Sequence, residues 1–319
     1  MERGFCLTTF RGAALDSGRN QTVLVVCALA VAGAFAWSYA PTMRSLWETW
    51  QSEPDYSHGI FVVPVAIAFL WFRRGERPDL APRLSPIPGA ALVFAAALRF
   101  LGNRWNFEAL DHWSLIAWAT GAAWLAGGWP MFRWCLPSIG FLFFMMPLPF
   151  RIEQSLSLPL QTIATQASCW TLQSLGQCAL AEGHTILMDG QRLEIEQACS
   201  GLRIVFGTLA MSVAYAILTQ RDWRERMLIV ACALPVALAA NVFRIVVTGF
   251  VKENYPGSPL ADWSHSAGGH LMTGVAVALF AMISWYLGRL FPRLEDAADD
   301  QTAEVEPPLH RWAPLVPRT

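Results

Sequence analysis

The stretch MLIVACALPVALAANVFRIVVTGF, residues 227–250, carries a single charge, Arg244. A helix needs about 20 mostly apolar residues to cross the hydrocarbon of a bilayer. The segment therefore reads as a membrane span holding an ionised group that lipid alone does not accommodate. Further runs without Asp, Glu, Lys or Arg cover 20–43, 56–72, 84–98, 112–132, 134–150, 154–181, 204–220 and 263–288. Only 15% of the 319 residues are charged and 54% are hydrophobic, whereas a soluble globular chain is about 25% charged. The net charge of −1, from 23 basic and 24 acidic residues, provides no bulk attraction for nucleic acid. The 15 Trp and 20 Pro exclude a simple disordered or coiled-coil chain.

These runs predict an all-α polytopic membrane protein. About eight transmembrane helices are expected, near 22–40, 57–73, 86–102, 112–129, 132–149, 201–219, 227–250 and 269–288. Residues 1–21 form a cytoplasmic N-terminal segment, 22–290 the membrane domain, and 291–319 an acidic, Pro-containing disordered tail. The first hydrophobic segment lacks a convincing small-residue cleavage site and is read as retained. The run 154–181 is different, because Gln154, Gln161, Gln166, Gln173 and Gln177 interrupt it. Leu156, Leu160, Ile163, Ala167, Trp170 and Leu175 recur at roughly helical spacing. That pattern predicts an amphipathic helix lying in the interface or packed against the bundle. Beyond it, alternation around Asp189-Gly190 predicts a hairpin with strands near 184–188 and 191–196.

Basic residues set the orientation, since Lys and Arg collect on the cytoplasmic side. With the N-terminus inside, the cytoplasmic segments hold Arg3, Arg11, Arg19, Arg73, Arg74, Arg77, Arg83, Arg133, Arg221, Arg224, Arg226, Arg289, Arg293, Arg311 and Arg318. The opposite side holds Arg44, Arg104, Arg151, Arg192 and Lys252. Arg99, Arg203 and Arg244 fall within or at the edge of spans. Both termini are thus expected in the cytoplasm and the hairpin on the outer face.

Seven cysteines, at 6, 27, 135, 169, 178, 199 and 232, show neither CxxC nor a paired extracellular spacing. No disulfide framework, metal site or cofactor is expected. Cys199 stands apart, because it lies where the hairpin hands over to the sixth span. A helix N-terminus, with its free N–H groups and partial positive charge, favours a thiolate there. Arg244 falls toward the same face of the membrane, as do His265 and His270 in ADWSHSAGGHLMTG (261–274). The two histidines are five apart, a spacing that does not suit a shared metal. Cys, His and Arg make chemical sense as a set. A thiolate attacks a carbonyl, the imidazole moves the proton, and the guanidinium stabilises the oxyanion. The same residues also fit a transporter or channel with an intramembrane Arg/His site. A membrane acyl or glycosyl transferase of polysaccharide export using His and Asp262 fits as well, as does a non-enzymatic export scaffold.

EQACSGLR (196–203), NVFR (241–244) and a His with Gly four residues later before an apolar run resemble the exosortase/archaeosortase family. DYSHG (55–59) and PLP (147–149) add to the resemblance, which covers roughly 40–290. It implies a membrane-embedded cysteine transpeptidase of a bacterial inner membrane, similar to sortases in chemistry but not in fold. Cys199 takes the nucleophile's place, Arg244 that of the arginine, and His270, with Gly274 and VAVALF following, that of the histidine. His265 with Gly269 is the alternative. Arg203, Asn241, Ser200 and His58 are supporting or substrate-binding candidates. The implied substrates are secreted proteins ending in a Pro-Glu-Pro-type motif, a transmembrane helix and a basic cluster. The new C-terminus would pass to an envelope or exopolysaccharide acceptor. Membrane lipid is the other expected partner, and nucleic acid is not one.

Overall fold

The computed structural model describes residues 32–80, 86–188, 191–194, 201–219, 222–255, 258 and 268–290. For 191, 194, 268–273 and 290 it describes the backbone alone. The chain divides into two compact units, Met1–Phe150 and Arg151–Thr319.

The first unit contains helix α1 (32–52), α2 (Gly59–Phe72), α3 (Pro86–Trp105) and α4 (Glu108–Phe141). Helix α1 does not stop near residue 40 as expected but continues through Pro41 to 52. Tyr39, Thr42, Leu46 and Trp50 recur every three or four residues and are all buried, so one continuous face keeps the helix going. Residues 22–31 of the expected first span lie outside the described ones.

Helix α4 contains a break where two separate spans were expected. Gly127 and Gly128 leave helical geometry, and Gly128 takes φ +68° with ψ −157°, a conformation open to glycine alone. Pro130 follows just inside the next helical segment, where its missing N–H costs nothing. Trp124, Trp129 and Phe132 pack around the break, with ring centroids 5.1–5.3 Å apart. The second segment ends earlier than the expected 149. It tightens into a 3-10 turn at Leu142–Met145 before Pro147 and Pro149 prevent further helix.

Two polar clusters fix this unit. Arg99 of α3 donates to Asp111 of α4 at 2.9 Å and to Thr42 of α1 at 2.8 Å, and also bonds the Ser38 carbonyl. Thr42 in turn donates to Asp111 at 2.6 Å, and the guanidinium lies 4.4 Å from the Tyr39 ring centre. A second membrane-embedded charge is thereby neutralised by a partner and by hydroxyls.

The other cluster joins DYSHG to the segment before PLP. His58 Nε2 lies 2.9 Å from the Phe144 carbonyl, the Leu148 N–H donates to Tyr56 Oη, and Trp50 Nε1 donates to the Met145 carbonyl. Gly59 lies so close to Trp50 that a Cβ would sit 2.3 Å from the indole nitrogen. Gly59→Ala is expected to destabilise the protein by about 2–4 kcal/mol through overpacking and loss of the buried indole bond. Gly207→Ala, inside α6 where a Cβ meets nothing, is the control and should raise stability by about 0.5–1 kcal/mol. Thermal unfolding in detergent followed by tryptophan fluorescence reads both.

The second unit contains α5 (Phe150–Ser174), a three-stranded antiparallel sheet, α6 (Gly201–Leu218), α7 (Trp223–Asn254) and α8 (Gly268–Leu290). Helix α5 is amphipathic as expected, with an unexpected polarity. Its buried stripe is Ala164, Thr165, Ser168, Cys169 and Leu172, whereas Leu156, Ile163, Trp170 and Leu175 are exposed. Small residues let backbones approach closely inside membrane proteins, and large apolar ones suit the lipid side. The hairpin forms as β2 (Thr185–Met188) and β3 (Gln191–Glu194), with its Asp189-Gly190 turn outside the described residues. A further strand, β1 (Ala179–Glu182), pairs with β2 across a two-residue turn led by Gly183 at φ +61°.

Four helices among the described residues are long and apolar enough to cross a membrane: Pro54–Phe72, Pro86–Trp105, α6 and α7. Glu108–Met145 with Phe150–Ser174 makes a fifth if that pair is one broken span. The eight expected helical segments are recognisable, but eight crossings are not. The second segment of α4 is too short alone, and part of the first expected span lies outside the described residues.

Candidate functional site

Helices α6, α7 and α8 pack together through small residues. Ile204 of α6, Ala237 and Ala240 of α7 and Ala276 of α8 form a shared buried layer. Toward one end of this layer lie the candidates. Arg244 is four residues beyond Ala240, an axial rise of about 6 Å, and His270 is six residues before Ala276, about 9 Å. Gly201 is three residues before Ile204, about 4.5 Å, and Cys199 precedes it by two positions.

Gly201 faces Asn241 closely: a Cβ on the glycine would lie 3.0 Å from Asn241 Nδ2. Asn241 is buried, and its Oδ1 has no hydrogen-bond partner among the described residues, Arg244 included. A buried amide oxygen left unpaired is costly, so Asn241 presents an acceptor that no described residue satisfies.

On the other side of Arg244, the sheet rests on α7. Ile186, Met188 and Leu193 join Leu172 and Cys169 of α5 in one apolar cluster with Ile245 and Val246. Gly249 admits this contact, since a Cβ there would meet Met188 Sδ at 3.3 Å and Leu193 Cδ2 at 3.6 Å. Leu193 and Gly201 thus both rest on α7, at Gly249 and Asn241, and Arg244 lies between those two positions along the helix. Only 195–200 intervene between β3 and α6, and they contain Cys199 and Ser200.

Arg244 is half-buried, and no carboxylate among the described residues pairs with it. This contrasts with Arg99, whose charge is fully engaged. Arg203 is also half-buried, in the first turn of α6. His270 lies in the first turn of α8, where its backbone is helical. Its side chain, together with Cys199, Ser200 and His265, lies outside the described residues. His58 belongs to the first unit, where its Nε2 contact to Phe144 ties two segments together. Among the described residues there is no group of three or more His, Cys, Asp or Glu side chains arranged to hold a metal.

Residues 50–282 match the family model described as transmembrane exosortase (Exosortase_EpsH). The chain belongs to the transmembrane exosortase family. The exosortase match spans α2 to most of α8 and includes all three motifs that carry the candidate residues. No curated protein and no solved structure matches the chain.

The Arg99–Asp111 network was not anticipated from the sequence. Its signal was present, because each residue is a lone charge at the end of an apolar run. Their pairing depends on the packing of α3 against α4.

Proposed function

We propose that this exosortase is a membrane cysteine transpeptidase. It cleaves secreted proteins carrying a Pro-Glu-Pro-type motif, a transmembrane helix and a basic cluster at the C-terminus. The observation that supports this best is that the described residues on either side of the Cys199 segment, Leu193 and Gly201, both rest on α7, at Gly249 and Asn241, with Arg244 between those two positions in the sequence. Two residues span at most about 7 Å, so the Cys199 backbone stays within that distance of Gly201, itself against Asn241.

In this reading the Cys199 thiolate attacks the scissile carbonyl, and its electron pair passes onto the carbonyl oxygen. Arg244 faces that oxyanion, and Arg203 binds a substrate carboxylate. The intermediate collapses, the C–N bond breaks, and imidazolium His270 gives its proton to the departing amine. The product is a thioester on Cys199. An acceptor nucleophile in the envelope or exopolysaccharide, or water, then loses a proton to neutral His270 and displaces the thiolate. Asn241 and Ser200 position the segment. The active site lies on the outer face of the inner membrane with both termini in the cytoplasm, as the basic residues indicate.

The test is co-expression with a tail-bearing substrate and mass spectrometry of the substrate's C-terminus. Cleavage next to the motif is expected, and an intact tail would overturn the proposal. His270→Ala is expected to lower processing by about 10²–10⁴-fold, with His265→Ala near wild type. The reverse order would move the proton-transfer role to His265.

A further inference from the structure

Away from the candidate site, α6 and α8 border an open cavity of about 570 Å³ near the end where α8 finishes. It is within the range of about 300–1,000 Å³ usual for ligand pockets. Met211 and Tyr215 line it from α6, and Phe280, Ser284, Trp285 and Arg289 from α8. Tyr215 and Phe280 meet edge to face, with centroids 6.0 Å apart. Most of the wall is apolar, and besides the Tyr215 hydroxyl and the Trp285 indole N–H two polar residues interrupt it.

The first is Ser284. The residue is 6% exposed, and its Oγ has no hydrogen-bond partner among the described residues. Ser212, on the facing helix, satisfies itself by donating to the Leu209 carbonyl at 2.8 Å. Ser284 makes no such bond, and a buried hydroxyl left unpaired is costly. The second is Arg289, exposed at the mouth with its guanidinium 5.3 Å from the Trp285 ring centre. Ser284 and Arg289 are five residues apart, an axial separation of about 7.5 Å. The same end of the three-helix bundle carries Arg224 and Arg226, which with Arg289 outnumber Asp222 and Glu225.

We propose that this cavity binds one anionic glycerophospholipid. Its acyl chain would lie against Met211, Tyr215 and Phe280, its ester carbonyl would accept from Ser284, and its phosphate would meet Arg289. The order of groups along the cavity matches the order along such a lipid. A peptide segment is a poorer occupant, because its backbone amides would each need a partner at this depth and the wall offers only two hydroxyls, Tyr215 and Ser284, and the Trp285 indole N–H. Trp and Arg are also the residues that settle at headgroup level.

The test uses the delipidated full chain in detergent, titrated with phosphatidylglycerol or phosphatidylcholine of equal chain length and read by native mass spectrometry. One phosphatidylglycerol is expected to bind about tenfold more tightly than phosphatidylcholine, the scale of one charge-assisted contact. Arg289→Gln should equalise the two lipids, Ser284→Ala should weaken both several-fold, and Ala281→Trp, which fills the cavity, should abolish the site. The proposal is overturned by no preference in wild type, by unchanged retention in both Arg289→Gln and Ala281→Trp, or by displacement of the lipid by inorganic phosphate. A lower melting temperature of Arg289→Gln with unchanged lipid preference would likewise overturn it, reducing Arg289 to a support for the helix end.

Discussion

Cys199→Ala is expected to leave a co-expressed tail-bearing substrate full length, a loss of at least about 10⁴-fold, the scale on which removal of a catalytic nucleophile acts. No hydroxylamine-sensitive adduct between enzyme and substrate should form. Cys199→Ser is expected to be nearly as inactive, because a hydroxyl at neutral pH offers far less anion than a thiol. The control is Cys178→Ala. Cys178 is an exposed free cysteine just before β1, open to the same alkylating reagents, and its loss should leave processing unchanged. Cys135, Cys169 and Cys232 are partly or wholly buried in helices and behave as small hydrophobes. Normal processing by Cys199→Ala would end the thioester mechanism. Arg244 and the histidines would then have to be explained as a transport site or as a transferase centre using Asp262. The measurement thus separates the competing chemistries without requiring the acceptor to be known.

The readable parts of this molecule are those governed by one-dimensional rules. Absence of charge over about 20 residues marks a helix in lipid, and α2, α3, α6 and α7 lie where those runs lie. Asp189-Gly190 between alternating residues marked the β2–β3 hairpin. Strand β1 escaped because four residues at the end of a polar helical pattern carry almost no periodic signal. Gly183-His184 between Glu182 and Thr185 was the available sign.

Helix α5 shows a different difficulty. Its period was legible, yet periodicity alone does not say which face is buried. In water the large apolar side turns inward, whereas here Trp170 is 71% exposed and Ser168 fully buried. The expected first span likewise ended near 40, whereas the long-range packing of Tyr39, Thr42, Leu46 and Trp50 carries α1 through Pro41 to 52. At the site, residue types and order were readable from EQACSGLR and NVFR. The seating of Leu193 and Gly201 on α7 was not, since it depends on Gly201 meeting Asn241 and Gly249 meeting the sheet.

Arg244→Gln is the second substitution with a large expected effect, lowering processing by about 10²–10³-fold, the cost of removing one oxyanion donor. Arg244→Lys should recover about one order of magnitude, because it keeps the charge but loses the planar fork of donors. A structural explanation makes a different demand. An arginine retained to hold the fold together requires a partner, as Arg99 has in Asp111, and its removal would lower stability. Arg244 has no carboxylate partner among the described residues and is only half-buried. Removing an uncompensated charge from a membrane helix relieves a cost. The melting temperature of Arg244→Gln is therefore expected to equal or exceed that of wild type while activity falls. The kinetic split then identifies what the guanidinium touches. A fall in kcat at constant KM places it on the oxyanion, an interaction made only in the transition state. A rise in KM at constant kcat assigns it instead to a carboxylate of the substrate's motif, and the oxyanion then falls to Arg203 in the first turn of α6.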